Sequence, residues 1–141
     1  MELTRRNALA LGAGAFAATL LPLPALATPE ATQEAIAALT GGADMGEGGI
    51  TLTAPEIAEN GNTVPISVDA PGATEITILA SANPDPKVIT FKFGPLAGAQ
   101  SASTRIRLAG TQDVIAVAKM ADGSFVKASS AVKVTIGGCG G

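Results

Sequence analysis

From Ile50 onward, apolar residues alternate with small or polar ones in short runs such as Ile50-Thr51-Leu52 and Val64-Pro65-Ile66-Ser67-Val68, and turn-forming residues interrupt each run. Successive side chains of an extended chain point to opposite faces, so a period of two describes strands with one face buried. Further strands are expected over Glu75 to Ala80, Lys87 to Phe93, Ser103 to Leu108, Val114 to Met120 and Phe125 to Ile136, the last broken around Ala128 to Ala131. Glu59-Asn60-Gly61-Asn62, Asn83-Pro84-Asp85-Pro86, Gly94-Pro95 and Asp122-Gly123 supply the turns.

About seven short strands with a turn every ten residues or so describe an all-β domain, an immunoglobulin-like antiparallel β-sandwich, with an open barrel as the alternative. Pro65 has no N–H to give a ladder, which places its strand at an edge or at a bulge. Val114-Ile115-Ala116-Val117-Ala118 is apolar throughout, as in a strand buried on both faces, in the core or under a second subunit. Ahead of the strands, Thr28-Pro29-Glu30 combines a capping residue, a first-turn proline and a first-turn acid. Ala31 to Leu39 continues with helix formers and Gly41-Gly42 stops them, so a short helix is expected over 29–39, with a lid or docking role left open.

The first 27 residues read as a signal peptide: Thr4-Arg5-Arg6-Asn7, an uncharged apolar run from Ala8 to Leu21, then Ala25-Leu26-Ala27. Paired arginines before a weakly hydrophobic run look like a twin-arginine signal, although Ala8 stands where a bulky apolar residue is usual. The expectation is cleavage after Ala27 and export to the periplasm as a folded protein, with an ordinary secretory signal as the alternative. No later apolar run approaches the roughly 18 residues that span a bilayer, so no membrane contact is expected of the mature form. The domain then covers 28–136, and 137–141 form a tail.

Composition narrows the chemistry. At 141 residues, 47% hydrophobic and 15% charged, the chain suits one compact domain. Aromatic residues make up 3%, so the core must be aliphatic and modest, and a stabilising partner is expected. The net charge is −3, and Lys87, Lys92, Arg105, Arg107, Lys119, Lys127 and Lys133 are scattered, which argues against nucleic acid. With no histidine and one cysteine, the usual general base and the usual metal-ligand sets are missing. The expectation is a protein that is not an enzyme, with no metal and no resident cofactor.

That cysteine, Cys139, stands in Gly137-Gly138-Cys139-Gly140-Gly141. Glycines have no side chains to pack and lose the most entropy on ordering, so the tail reads as a flexible arm. Extended past Ile136, it carries the thiol on the order of 10 Å from the sheet, slim enough to thread a narrow channel in another protein. No cation lies near enough in sequence to lower the thiol below the roughly 8.5 of free cysteine. A thiol peroxidase is disfavoured by the missing histidine, resolving cysteine and neighbouring cation. Two readings stand: a covalent carrier whose cargo reacts inside partner enzymes, and a structural sandwich module stapled to another chain by an interchain disulfide. Arg105 and Arg107, two apart and so on one strand face, are candidates for contact with an anion or a partner, although a solvated face explains them as well.

Several blocks carry a resemblance: Pro55-Glu56-Ile57-Ala58-Glu59-Asn60-Gly61, Asn83-Pro84-x-Pro86, Phe93-Gly94-Pro95, Thr104-Arg105-Ile106-Arg107-Leu108-Ala109, Gln112 to Ala118, and the glycine-framed cysteine. Together they resemble the SoxY family, the sulfur-carrier subunits of the bacterial thiosulfate-oxidising Sox system. The resemblance implies a sandwich fold and a heterodimer with a SoxZ subunit that lacks its own signal. It implies that a haem Sox cytochrome couples thiosulfate to Cys139 as a cysteine S-thiosulfonate, and that a hydrolase releases sulfate. The remaining persulfide is then oxidised by a sulfur dehydrogenase or passed to storage. One departure is Ile76-Thr77-Ile78-Leu79-Ala80-Ser81-Ala82, which lacks the aromatic or basic residues associated with that strand.

Overall fold

The computed structural model describes residues 28–137; the expected signal peptide and all of the tail beyond Gly137 lie outside them. The helix α1 (Pro29–Thr40) starts where the Thr28 side chain accepts a hydrogen bond from the Ala31 amide (3.1 Å) and ends where Gly41 takes a left-handed φ of 64°. Both ends follow from residues that satisfy or stop the helical ladder. Thr40 closes the last turn by donating to the Ile36 carbonyl.

The strands are β1 (Met45–Glu47), β2 (Thr51–Thr53), β3 (Ile57–Ala58), β4 (Val64–Asp69), β5 (Ala73–Ala80), β6 (Lys87–Lys92), β7 (Ser101–Ile106), β8 (Gln112–Met120) and β9 (Phe125–Val134). They form two sheets, one ordered β1-β9-β8-β5-β6 with β3 also on β9, the other β2-β4-β7. The expected all-β sandwich with a short leading helix is what the chain forms. Between the sheets lie Val64, Ile66, Val68, Ile76, Ile78, Leu108, Val114 and Val132, all buried, with Phe91 and Phe93 partly buried at the margin. The core is aliphatic, as a chain so poor in aromatics requires.

The apolar run of β8 is buried on both faces. Val114, Ala116 and Ala118 point into the sandwich, while Val117, with Leu79 of β5 and Ile36 of α1, makes a separate buried cluster on the outer side. The cover on that side is the protein's own helix. Burying one such branched side chain contributes about 1.5–3 kcal/mol, enough to hold a helix too short to be stable alone.

Two local expectations need correction, and two short strands are additions to them. Pro65 lies in the central strand of the smaller sheet, not at an edge. However, β2 stops at Thr53, opposite Ser67, so at Pro65 the strand is paired only with β7, where Arg105 is opposite. A residue without an N–H is tolerated on that half-open stretch. Strand β9 runs unbroken through Ala128 to Ala131, because β8 pairs with it from Lys119↔Phe125 to Gln112↔Val132 and the tertiary partner outweighs weak local propensity. β1 and β3, unmarked by periodicity, each pair in parallel with β9: Met45↔Phe125 to Glu47↔Lys127, and Ile57↔Lys133 with Ala58↔Val134. No described helix is long and apolar enough to cross a membrane.

The β8–β9 turn carries one titration signature. The Asp122 carboxylate accepts from the Ser124 hydroxyl (2.6 Å) and amide (2.9 Å), which holds its pKa below the ordinary 3.8. Both bonds favour the ionised form, so this turn is braced above the ordinary carboxylate pKa and loosens as pH falls through the lowered value. A carboxyl-carbon NMR titration should place the Asp122 midpoint below 3.8, and Ser124→Ala should move it up.

Candidate functional site

Cys139, Gly138, Gly140 and Gly141 lie outside the described residues, and Gly137 is the last residue within them. The described part of the site is therefore the root from which the tail leaves. At the end of β9 and just past it the chain is held from both sides. The Lys133 and Thr135 amides donate to the Glu56 and Ala58 carbonyls (2.9 and 3.0 Å), the Thr135 hydroxyl donates to the Glu59 carbonyl (2.9 Å), and the Gly61 amide donates to the Ile136 carbonyl (2.7 Å). Across from this, the Thr111 hydroxyl accepts from the Val134 amide (3.0 Å). The segment 56–61, which the sequence presents only as a turn after irregular chain, is the bracket that fastens the end of β9.

A second loop meets the same spot. The Leu108 amide donates to the Gly61 carbonyl (2.8 Å), and Asn83 ties together the chain around it. The Asn83 amide nitrogen donates to the Arg107 carbonyl (2.9 Å), while its oxygen accepts from the Ala109 amide (2.9 Å) and from the Gln112 side chain (3.0 Å). Gln112, buried, also donates to the Gly110 carbonyl and accepts from the Ala82 amide. Asn83 and Gln112 look like an ordinary turn residue and a strand start in sequence. The only signal of their role is that they fall in the blocks that carry the family resemblance.

Gly137 passes directly against this loop. A Cβ built on it would overlap the Ala109 carbonyl oxygen and come within 3.3 Å of the carbonyl carbon. Its φ lies outside the left-handed region, so space rather than backbone conformation calls for glycine here. Two isoleucines in the segments that form the root are exposed, Ile57 (60%) in β3 and Ile136 (66%) next to Gly137.

Arg105 and Arg107 are both exposed, and β7 ends between them at Ile106. The alternation nevertheless continues, with Ile106 and Leu108 buried. Arg105 borders an open groove of about 600 Å³ on the smaller sheet, with Thr53, Pro65 and Ser103. Arg107 sits at the tail root through its carbonyl bond to Asn83, so the pair does not converge on one pocket. Among the described residues no group of three or more His, Cys, Asp or Glu is placed to hold a metal ion.

The family model of the sulfur oxidation protein SoxY matches residues 36–139, from α1 through the bracket to the cysteine. The chain belongs to the SoxY family. The structure of the sulfur carrier protein SoxY from Chlorobium limicola f thiosulfatophilum is 38% identical, with a TM-score of 0.67, and aligns over all of that chain and 77% of this one. A superoxide reductase (neelaredoxin) from Ignicoccus hospitalis shares the fold alone, at 14% identity and a TM-score of 0.55 over 62% of this chain and 80% of that one. No curated protein matches the chain. Of the blocks that carry the resemblance, Glu56–Gly61, Asn83, Arg107–Ala109 and Gln112, far apart in sequence, are hydrogen-bonded to one another or to the end of β9 at the root of the tail.

Proposed function

We propose that this protein is a periplasmic covalent carrier of thiosulfate-derived sulfur, loaded on Cys139 and presented to partner enzymes on a short glycine arm. The observation that carries the reading is the family membership, with a match that runs through Cys139. The fastened root supports it, because an arm that must enter another protein's site needs a firm base.

The chemistry is within reach of one thiol. The Cys139 thiolate and thiosulfate, S2O3²⁻, join as Cys–S–S–SO3⁻ and release two electrons, which a haem cytochrome partner accepts. Water added by a hydrolase then splits off sulfate and leaves Cys–S–S⁻ with release of two protons. The persulfide goes on to a sulfur dehydrogenase or to storage. In each step the carrier supplies the attachment atom and the partner supplies the catalysis, so the chain holds cargo and is not itself an enzyme.

Export as a folded protein by a twin-arginine signal would let a SoxZ-like subunit cross with this chain as a heterodimer. The test is the intact mass of the protein from thiosulfate-grown cells, with and without reductant. A reductant-labile adduct on Cys139 is expected, and an unmodified thiol under every growth condition would overturn the reading. Quantitative disulfide dimers on non-reducing gels that do not exchange with thiosulfate would favour the interchain staple instead.

A further inference from the structure

We infer that Gly137 is not a link of the arm but its anchor, and that Asn83 sets the arm's direction of exit by holding the Ala109 carbonyl against it. This rests on the carrier reading for its consequence, though not for its geometry. Two observations meet here. The space at Gly137 is closed by backbone, the Ala109 carbonyl, which cannot swing aside as a flexible side chain would. That carbonyl belongs to a loop pinned by the Asn83 side chain at Arg107, Ala109 and Gln112. On the other side, the Ile136 carbonyl is held by the Gly61 amide.

A glycine hemmed in by backbone on one side and following a held Ile136 has a restricted heading. The thiol-bearing residue is two positions on, so its Cα stays within about 7 Å of the anchor, against about 10 Å if the arm pivoted at Ile136. With so short a reach, the direction of departure decides where the thiol can arrive. A misplacement of about 1 Å at a reacting group can cost about 100-fold in rate. Asn83 is thus a positioning residue, acting through Ala109 and Gly137 and touching no cargo.

The test separates anchoring from delivery. In the native protein, amide relaxation should give Gly137 an order parameter near the roughly 0.85 of rigid backbone, with the fall below about 0.6 confined to later residues. A Gly137 value as low as theirs would overturn the anchor. Delivery is then read with two probes. Tetrathionate loads a thiol without any partner, the thiolate displacing thiosulfate to leave Cys–S–S–SO3⁻, and thiosulfate with periplasmic extract of thiosulfate-grown cells loads it enzymatically.

Gly137→Ala should load with tetrathionate within about twofold of native, since thiol reactivity is unchanged, and load in extract about 10- to 100-fold more slowly. Asn83→Ala should share that loss. Asn83→Asp keeps the oxygen that accepts from Ala109 and Gln112 but sets a second acceptor against the Arg107 carbonyl, and should recover part of the rate. Equal extract rates for native and Gly137→Ala would overturn the positioning role. Failure of the native protein to load in extract would instead sink the carrier reading, and the order parameter would still decide the anchor.

Discussion

A Cys139→Ser protein should fold as the native one does and carry no sulfur at all. The chain has one cysteine, so no second thiol can substitute, and it has no histidine through which a transferred group could be held on nitrogen. A serine hydroxyl is not an S–S bond former and holds none of the sulfur oxidation states that a thiol accepts. The loss should therefore be complete. Stability should be untouched, because the described core ends well before position 139: Val132 is its last fully buried residue. Intact mass after exposure to thiosulfate and extract reads the first outcome and thermal unfolding the second. Sulfur carriage that survived the substitution would place the attachment site elsewhere, and the family assignment would then have to be explained without this thiol.

The largest stability effect is expected at Leu108. Its side chain is fully buried, it closes the core beneath the tail root, and its amide bonds the Gly61 carbonyl. Truncation to alanine leaves a cavity lined by aliphatic side chains that cannot collapse without moving two loops, at a cost of about 2–5 kcal/mol. Against the 5–15 kcal/mol typical of whole domains, that is a large share, and it should lower Tm by about 8 °C or more. Leu108→Met conserves volume and should cost less than about 1.5 kcal/mol. The same pair of variants links packing to delivery. The alanine variant should also slow enzymatic loading, since it loosens the loop that meets Gly137, while loading by tetrathionate persists. A Tm within about 3 °C of native for Leu108→Ala would show that the site relaxes and that the root does not depend on it.

The outer architecture was legible because its cues are local. Period-two runs, turn residues and a capped helix start each arise from neighbours in sequence, and the helix expected over 29–39 is observed at Pro29–Thr40. The cysteine and its glycines stand out in sequence for the same local reason, while residues 138–141 lie outside the described structure. What local pattern missed was whatever depends on a partner strand. β1 and β3 have no period of their own and exist because β9 offers them an edge. β9 stays whole through Ala128 to Ala131 because β8 holds it. Pro65 can sit mid-sheet because β2 stops short.

The division runs through the tail itself. That Cys139 is the candidate working group is a reading the amino acids alone support: one thiol, no histidine, glycine on either side. That the first of those glycines belongs to the frame could not be read from them, because glycine is written alike whether freedom or lack of space calls for it. The difference lies in a carbonyl contributed by Ala109, held in place by Asn83 and approached only once the sandwich has closed. Chemistry of a side chain is a property of the residue. Direction is a property of what the rest of the chain has packed around it.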